Sequence, residues 1–63
     1  MKIFWCLIKF SDADDVGLNL KVNFYCKEKE LYTKVMVYVE RLREDNPFFK
    51  NLYYDGFEVI GCE

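Results

Sequence analysis

The segment from Lys2 to Phe10 constrains the fold most, because it is apolar on both of its alternating faces. Successive side chains of a β-strand point to opposite sides of a sheet. One side of this segment carries Phe4, Cys6, Ile8 and Phe10. The other side carries Ile3, Trp5 and Leu7. We therefore expect the segment to be the central strand of a sheet.

The segment from Leu18 to Cys26 alternates regularly, which is typical of a strand with one solvated face. Its apolar side holds Leu18, Leu20, Val22, Phe24 and Cys26, and its other side holds Asn19, Lys21, Asn23 and Tyr25. The polar residues 11–15 separate it from the first strand. The aspartates there, at positions 12, 14 and 15, lack the later glycine and glutamate of a calcium-binding loop, so we expect a solvated turn.

The spacing changes to three and four residues between Lys27 and about Asp45, which predicts an amphipathic helix. The apolar positions of this helix are Leu31, Val35, Tyr38, Val39 and Leu42. Pro47 ends it, since proline disfavours helical geometry in the residue before it.

Two interpretations remain open for residues 47–54. Asn46 can cap a short second helix that has Pro47 at its first position, with Asp55-Gly56 leading into a last strand from Phe57 to Cys62. Alternatively, Asp55-Gly56 is the turn of a hairpin. We favour the short helix.

The predicted order is strand, strand, helix, strand. A right-handed crossing of the helix from the second strand to a parallel third strand places the first strand in the centre. We therefore predict one domain, residues 1–63, of the α+β class. It has a small, three-stranded, mostly antiparallel sheet of order 2-1-3 with one helix packed on one face, a ββαβ arrangement.

One helix covers only one face of such a sheet. We assign to the helix side the first-strand row that starts at Phe4, together with Leu20, Val22, Phe24, Phe57 and Val59. The uncovered face is then a candidate partner-binding surface. Its predicted residues are Ile3, Trp5, Leu7, Tyr25, Glu58 and Ile60. The alternatives are a second small core closed from below by Phe48-Phe49, or a homodimer that hides the patch.

Catalytic and metal chemistry have little support in the sequence. The chain has no histidine, and its three cysteines (Cys6, Cys26 and Cys62) form no CxxC pair. Ser11 and Thr33 have no recognisable activating base. We expect a protein that is not an enzyme and that uses no metal or cofactor.

The net charge of −2 and the pI of about 5.0 do not favour direct binding to nucleic acid. Lys9 and Asp12 interrupt the N-terminal apolar stretch, so we expect no signal peptide, and no apolar run is long enough to span a bilayer. We expect a cytoplasmic protein with reduced thiols and no membrane partner.

Two short stretches, Lys2-Ile3-Phe4-Trp5 and Gly56-Phe57-Glu58-Val59, resemble the phage-encoded inhibitors of bacterial RNA polymerase. The resemblance extends to the length and the order of elements over nearly the whole chain. In that family the last strand carries arginines that contribute to the polymerase contact, where this chain has Ile60, Gly61 and Cys62.

The resemblance implies a phage or mobile-element protein that acts in the host cytoplasm. Such a protein inhibits or modulates a host protein or protein complex, in transcription or in defence, by occupying a surface. Proteins that block restriction or CRISPR systems are of similar size. Our expectation is therefore a non-enzymatic protein-binding module that uses its open sheet face or a free strand edge. The alternative is a small structural homodimer with no inhibitory role.

Overall fold

The computed structural model describes all residues from Met1 to Glu63. Three strands, β1 (Lys2–Ser11), β2 (Gly17–Cys26) and β3 (Tyr53–Cys62), form one sheet of order β2-β1-β3. A 3₁₀ turn (Glu28–Glu30) leads into the long helix α1 (Leu31–Asp45), and a short helix α2 (Pro47–Lys50) follows. The predicted α+β fold, its strand order and its ββαβ sequence of main elements are confirmed.

Strand β1 is antiparallel to both of its neighbours. Its pairing with β2 is continuous from Lys2 opposite Cys26 to Ser11 opposite Gly17. Its pairing with β3 is interrupted twice, between Trp5 and Cys6 and again between Lys9 and Phe10. The two edge strands therefore differ, because β2 is regular and β3 is irregular.

The turn between β1 and β2 is organised by the side chain of Asp12. Its Oδ1 accepts hydrogen bonds from the backbone N–H groups of Asp14 and Val16, at 2.9 Å each. Asp15 takes a positive φ of 61°, a conformation that aspartate tolerates better than most residues. This carboxylate shapes the hairpin, as expected for a solvated turn.

The core lies between the sheet and the helices. Its ten buried residues are Phe4, Cys6, Ile8, Phe10, Cys26, Leu31, Val35, Val39, Phe49 and Leu52. Tyr38 and Leu42 are partly buried against this cluster, as are Leu20, Val22, Phe24 and Phe57. The predicted helix-side row of β1 and the predicted apolar face of α1 are confirmed. Val59 lies opposite Cys6 but is exposed at the edge of the sheet.

The segment after α1 forms the short helix and not the hairpin. The Oδ1 atom of Asn46 accepts a hydrogen bond from the N–H of Phe48 at 3.1 Å, and Pro47 occupies the first turn. Phe49 packs edge-on against Phe10, with ring centroids 5.3 Å apart. This segment therefore closes one end of the helix-side core and does not fold under the sheet.

The last strand begins at Tyr53, not at Phe57 as expected from the sequence. Asp55-Gly56 lies inside β3, at the second irregularity in its pairing with β1. Gly56 has a φ of 107°, which a residue with a side chain rarely adopts. Asp55-Gly56 thus forms a bulge within β3, although its composition is typical of a turn. No helix in the structure combines the length and the apolarity needed to cross a membrane.

Candidate functional site

The face of the sheet opposite α1, called the open face below, is the candidate site. Strand β1 alternates strictly, with its even-numbered residues from Phe4 to Phe10 buried under the helices. Its odd-numbered residues Ile3, Trp5 and Leu7 are only half-buried, and none of them belongs to the core. We call these three residues the apolar stripe. No helix or loop covers it, because α2 closes the opposite side.

Trp5 lies in the middle of the stripe, between Asn23 on β2 and Gly61 on β3. A Cβ atom built on Gly61 would be 3.6 Å from Trp5 Cδ1 and 3.7 Å from Trp5 Cβ. The indole therefore covers the backbone of this glycine. An aromatic side chain placed across a strand from glycine compensates for the packing that glycine lacks.

Leu7 lies between two charged residues, Lys21 on β2 and Glu58 on β3. Glu58 also forms the single salt bridge of the structure, with 3.5 Å between its Oε2 and Lys9 Nζ. Both side chains of this pair are largely exposed, so the pair adds little to stability. Glu58 is thus on the predicted face.

Tyr25 and Ile60 complete the predicted set at one end of the stripe. Tyr25 lies opposite Ile3 and is 66% exposed. Ile60 is the extra residue at the first irregularity of β3, where Val59 faces Cys6 and Gly61 faces Trp5. It is 45% exposed at the edge of the sheet. The structure thus brings Ile3, Trp5, Leu7, Tyr25 and Glu58 onto one face, with Ile60 at its border.

The predicted set omits further residues of this face, among them Lys9, Lys21, Asn23 and Gly61. The alternation of β2 already places Lys21 and Asn23 on the same side as Tyr25, so this signal was present in the sequence. The position of Gly61 depends on the extra residue at Ile60, which strand periodicity does not reveal.

Cys6 is unsuited to nucleophilic chemistry. Burial raises the pKa of the Cys6 thiol above its ordinary value, and the neighbouring Cys26 raises that pKa further. Cys6 is therefore protonated at neutral pH, whereas the thiolate is the reactive form. Cys62 is exposed, and no group of histidine, cysteine or acidic side chains is arranged to hold a metal ion.

A shallow cavity of about 480 Å³ lies on the outer surface of the helical segment. It is lined by Lys29, Glu30, Thr33, Lys34 and Val37. All five residues are exposed and come from one stretch of helix, so the cavity has no opposing wall. The open face presents the more specific combination of apolar centre and polar border.

Comparisons of this chain with protein-family models, with curated proteins and with solved structures gave no significant match.

Proposed function

We propose that this chain is a non-enzymatic protein-binding module that docks the open face of its sheet on a partner protein. The observation that supports this most is the uncovered apolar stripe of the central strand. A central strand is normally sheltered on both faces when both are apolar. Exposed apolar surface with a polar border is typical of protein interaction sites, and tryptophan and tyrosine often contribute most to binding.

The border of the stripe indicates what the partner surface must offer. Lys21 and Glu58 lie on opposite sides of Leu7, so the partner must present an apolar centre with charges of both signs beside it. Charges at the border of an interface act mainly on orientation and on the rate of association. The apolar stripe would then provide most of the affinity.

The resemblance to phage inhibitors extends the proposal to a class of partner. We place the chain in the bacterial cytoplasm as an inhibitor or modulator of a host protein machine, in transcription or in defence. A domain of 63 residues needs no catalytic group to inhibit such a machine, because it can occupy a surface that the machine needs. The arginines of the polymerase inhibitors are replaced by Ile60, Gly61 and Cys62, so the target surface need not be the same.

The test compares two tyrosines of equal exposure on opposite sides of the molecule. Tyr25 and Tyr32 are both 66% exposed, but Tyr25 borders the apolar stripe and Tyr32 lies on α1. Tagged wild-type protein is used to capture partners from bacterial lysate, and binding to each purified partner is then measured. We expect Tyr25→Ala to weaken binding by about tenfold or more, whereas Tyr32→Ala leaves it unchanged.

Leu7→Glu is a second variant, which places a charge in the centre of the stripe and should abolish binding. Thermal unfolding of every variant shows whether the fold is retained. Tyr25 is preferred to Trp5 for the first measurement because the indole also covers Gly61 and so supports the sheet. Failure to capture any protein, or equal binding by the Tyr25 and Tyr32 variants and by Leu7→Glu, would contradict the proposal.

A further inference from the structure

The outer edge of β2 has unpaired peptide groups whose positions follow from the hydrogen bonds of β1. Ile3 exchanges two backbone hydrogen bonds with Glu63, at 2.9 and 2.8 Å, so its peptide groups point toward β3. Asp12 N–H donates to the carbonyl of Val16 at 3.2 Å, so the peptide groups of the even-numbered residues of β1 point toward β2. The register pairs even-numbered residues of β1 with even-numbered residues of β2, so the peptide groups of the latter point back toward β1.

The odd-numbered residues of β2 therefore point their N–H and C=O groups away from the sheet. They are Gly17, Asn19, Lys21, Asn23 and Tyr25, and all five are exposed. None of them takes part in a side-chain hydrogen bond or in a backbone bond outside the strand pairing. They form a regular, unpaired edge along a strand of ten residues.

Edges of this kind are usually blocked in monomeric proteins, because they can pair with another strand. The edge of β3 is blocked by two bulges, at Ile60 and at Asp55-Gly56. The edge of β2 has no bulge and no proline. Of the two edges, only that of β2 has the regular geometry needed for pairing.

We infer that two copies of this chain associate through antiparallel pairing of their β2 strands, which gives a continuous six-stranded sheet. A two-fold axis requires that outward-pointing odd-numbered residues face each other across the join. Two registers meet this requirement and still pair nearly the whole of Gly17–Cys26. In one the two-fold axis passes through Lys21, and in the other it passes through Val22. An axis at Lys21 would place the two copies of that lysine directly opposite each other, which is destabilising.

An axis at Val22 gives a self-complementary join. Lys21 then faces Asn23 of the second copy, and Asn19 faces Tyr25 of the second copy. On the helix side, Val22 faces its own copy and Leu20 faces Phe24 of the second copy. The apolar side chains along this edge are half-buried in one chain, and the second copy would cover them. Polar residues thus meet polar or aromatic ones, and apolar residues meet apolar ones.

The β2 dimer leaves the apolar stripe free, because pairing takes place in the plane of the sheet. The two open faces become neighbours on the same side of the enlarged sheet. This inference is independent of the proposed function, since the dimer forms without any other partner and its measurement needs only the purified chain.

The first experiment measures the mass of the full chain by sedimentation equilibrium, from about 1 µM to about 1 mM, a range that brackets the affinity of a small interface. We expect a reversible monomer–dimer equilibrium. Hydrogen exchange at the two ends of this range locates the interface. The amides of Asn19, Lys21, Asn23 and Tyr25 should gain protection at high concentration, while the amides between them are protected throughout.

Charge substitutions at Asn23 test the register. Asn23→Lys places a second positive charge opposite Lys21 of the other copy, twice in each dimer, and should raise the dimer Kd about tenfold. Asn23→Glu places a negative charge there and should lower that Kd by a similar factor. The same substitutions at the exposed Asn51, between α2 and β3, change the net charge equally and should leave the Kd unchanged.

Asn23→Pro removes an outward N–H that the single chain does not use, so it should prevent dimer formation while the monomer still folds. Near-ultraviolet circular dichroism checks that fold. A chain that is monomeric at the highest concentration would overturn the inference. A dimer whose Kd is the same for wild type, Asn23→Lys and Asn23→Glu would overturn it as well, because it would use another surface.

Discussion

The indole of Trp5 lies against the backbone of Gly61, on the face of the sheet that no helix covers. This contact exists because β3 contains one extra residue, Ile60, between the partners of Cys6 and Trp5. Without the bulge, pairing continued regularly from Val59 opposite Cys6 would place Ile60 opposite Trp5. The bulge therefore decides which residue supports the largest side chain of the open face.

Gly61 and Gly56 are expected to respond oppositely to alanine. A Cβ atom at Gly61 would make an ordinary contact with Trp5, and alanine has less conformational freedom in the unfolded chain. Gly61→Ala should therefore raise the free energy of unfolding by about 0.5 kcal/mol. Gly56→Ala should lower it by about 1 kcal/mol or more, because the φ of 107° at Gly56 is unfavourable for a residue with a side chain.

Urea unfolding at neutral pH measures both changes. Each variant is the control for the other, since both substitutions add one methyl group to β3. A loss of stability in Gly61→Ala that equals the loss in Gly56→Ala would mean that the indole does not tolerate a methyl group beneath it.

Two valines of α1 should differ because one lies in the core and the other in solvent. Val35 is 0% exposed, whereas Val37 is 43% exposed on the same helix. Val35→Ala should lower the free energy of unfolding by about 2 kcal/mol, through lost burial and the cavity that remains. Val37→Ala should change it by less than about 0.5 kcal/mol, since alanine has the better helix propensity.

Thermal and urea unfolding both report these differences. A domain this small has a total stability of only about 3–5 kcal/mol, so Val35→Ala should show a clearly broadened or lowered transition. Equal effects at the two positions would contradict the packing of α1 on the sheet.

Stability is expected to fall at alkaline pH because of Cys6. Burial, and then the neighbouring Cys26, raise the pKa of this thiol above its ordinary value of 9.0 in the folded protein. The folded state therefore keeps the proton to higher pH than the unfolded state does. The contribution of the protonated Cys6 thiol to the free energy of unfolding is fully present below pH 9.0. It is lost as the pH rises through the pKa of Cys6 in the folded protein.

Measuring the free energy of unfolding at several pH values above 8 tests this dependence of stability on pH. Cys6→Ala should give a smaller decline with pH than wild type, whereas Cys62→Ala removes an exposed thiol and should not alter the decline. The pKa of Tyr54 is also raised, by burial and then by Tyr32, so some decline should persist in Cys6→Ala. An unchanged decline in Cys6→Ala would refute the role of Cys6.

Much of the fold can be predicted from periodicity, because the alternation of β2 and the three-to-four spacing in α1 each identify a buried face, and the apolar residues on both faces of β1 identify the central strand. The start of β3 could not be predicted in this way. Asp55-Gly56 has the composition of a turn, and only the pairing with β1 shows that the strand continues through it as a bulge.

The same limit applies to the open face. The alternation of β1 was enough to place Ile3, Trp5 and Leu7 together, and that of β2 to place Tyr25 with them. The contact between Trp5 and Gly61 depends on the exact register of two strands that are far apart in sequence. A one-residue shift in register moves every side chain to the other face, and a single strand carries no signal for it.

Because burial alternates along β1, neighbouring residues within this strand of ten residues have different roles. Changes at Phe4, Cys6, Ile8 or Phe10 act on whether the chain folds, and changes at Ile3, Trp5 or Leu7 act mainly on what the folded sheet can touch. Substitution of every second residue of this one strand would therefore change the exposed surface of the sheet, while the intervening residues preserve the core.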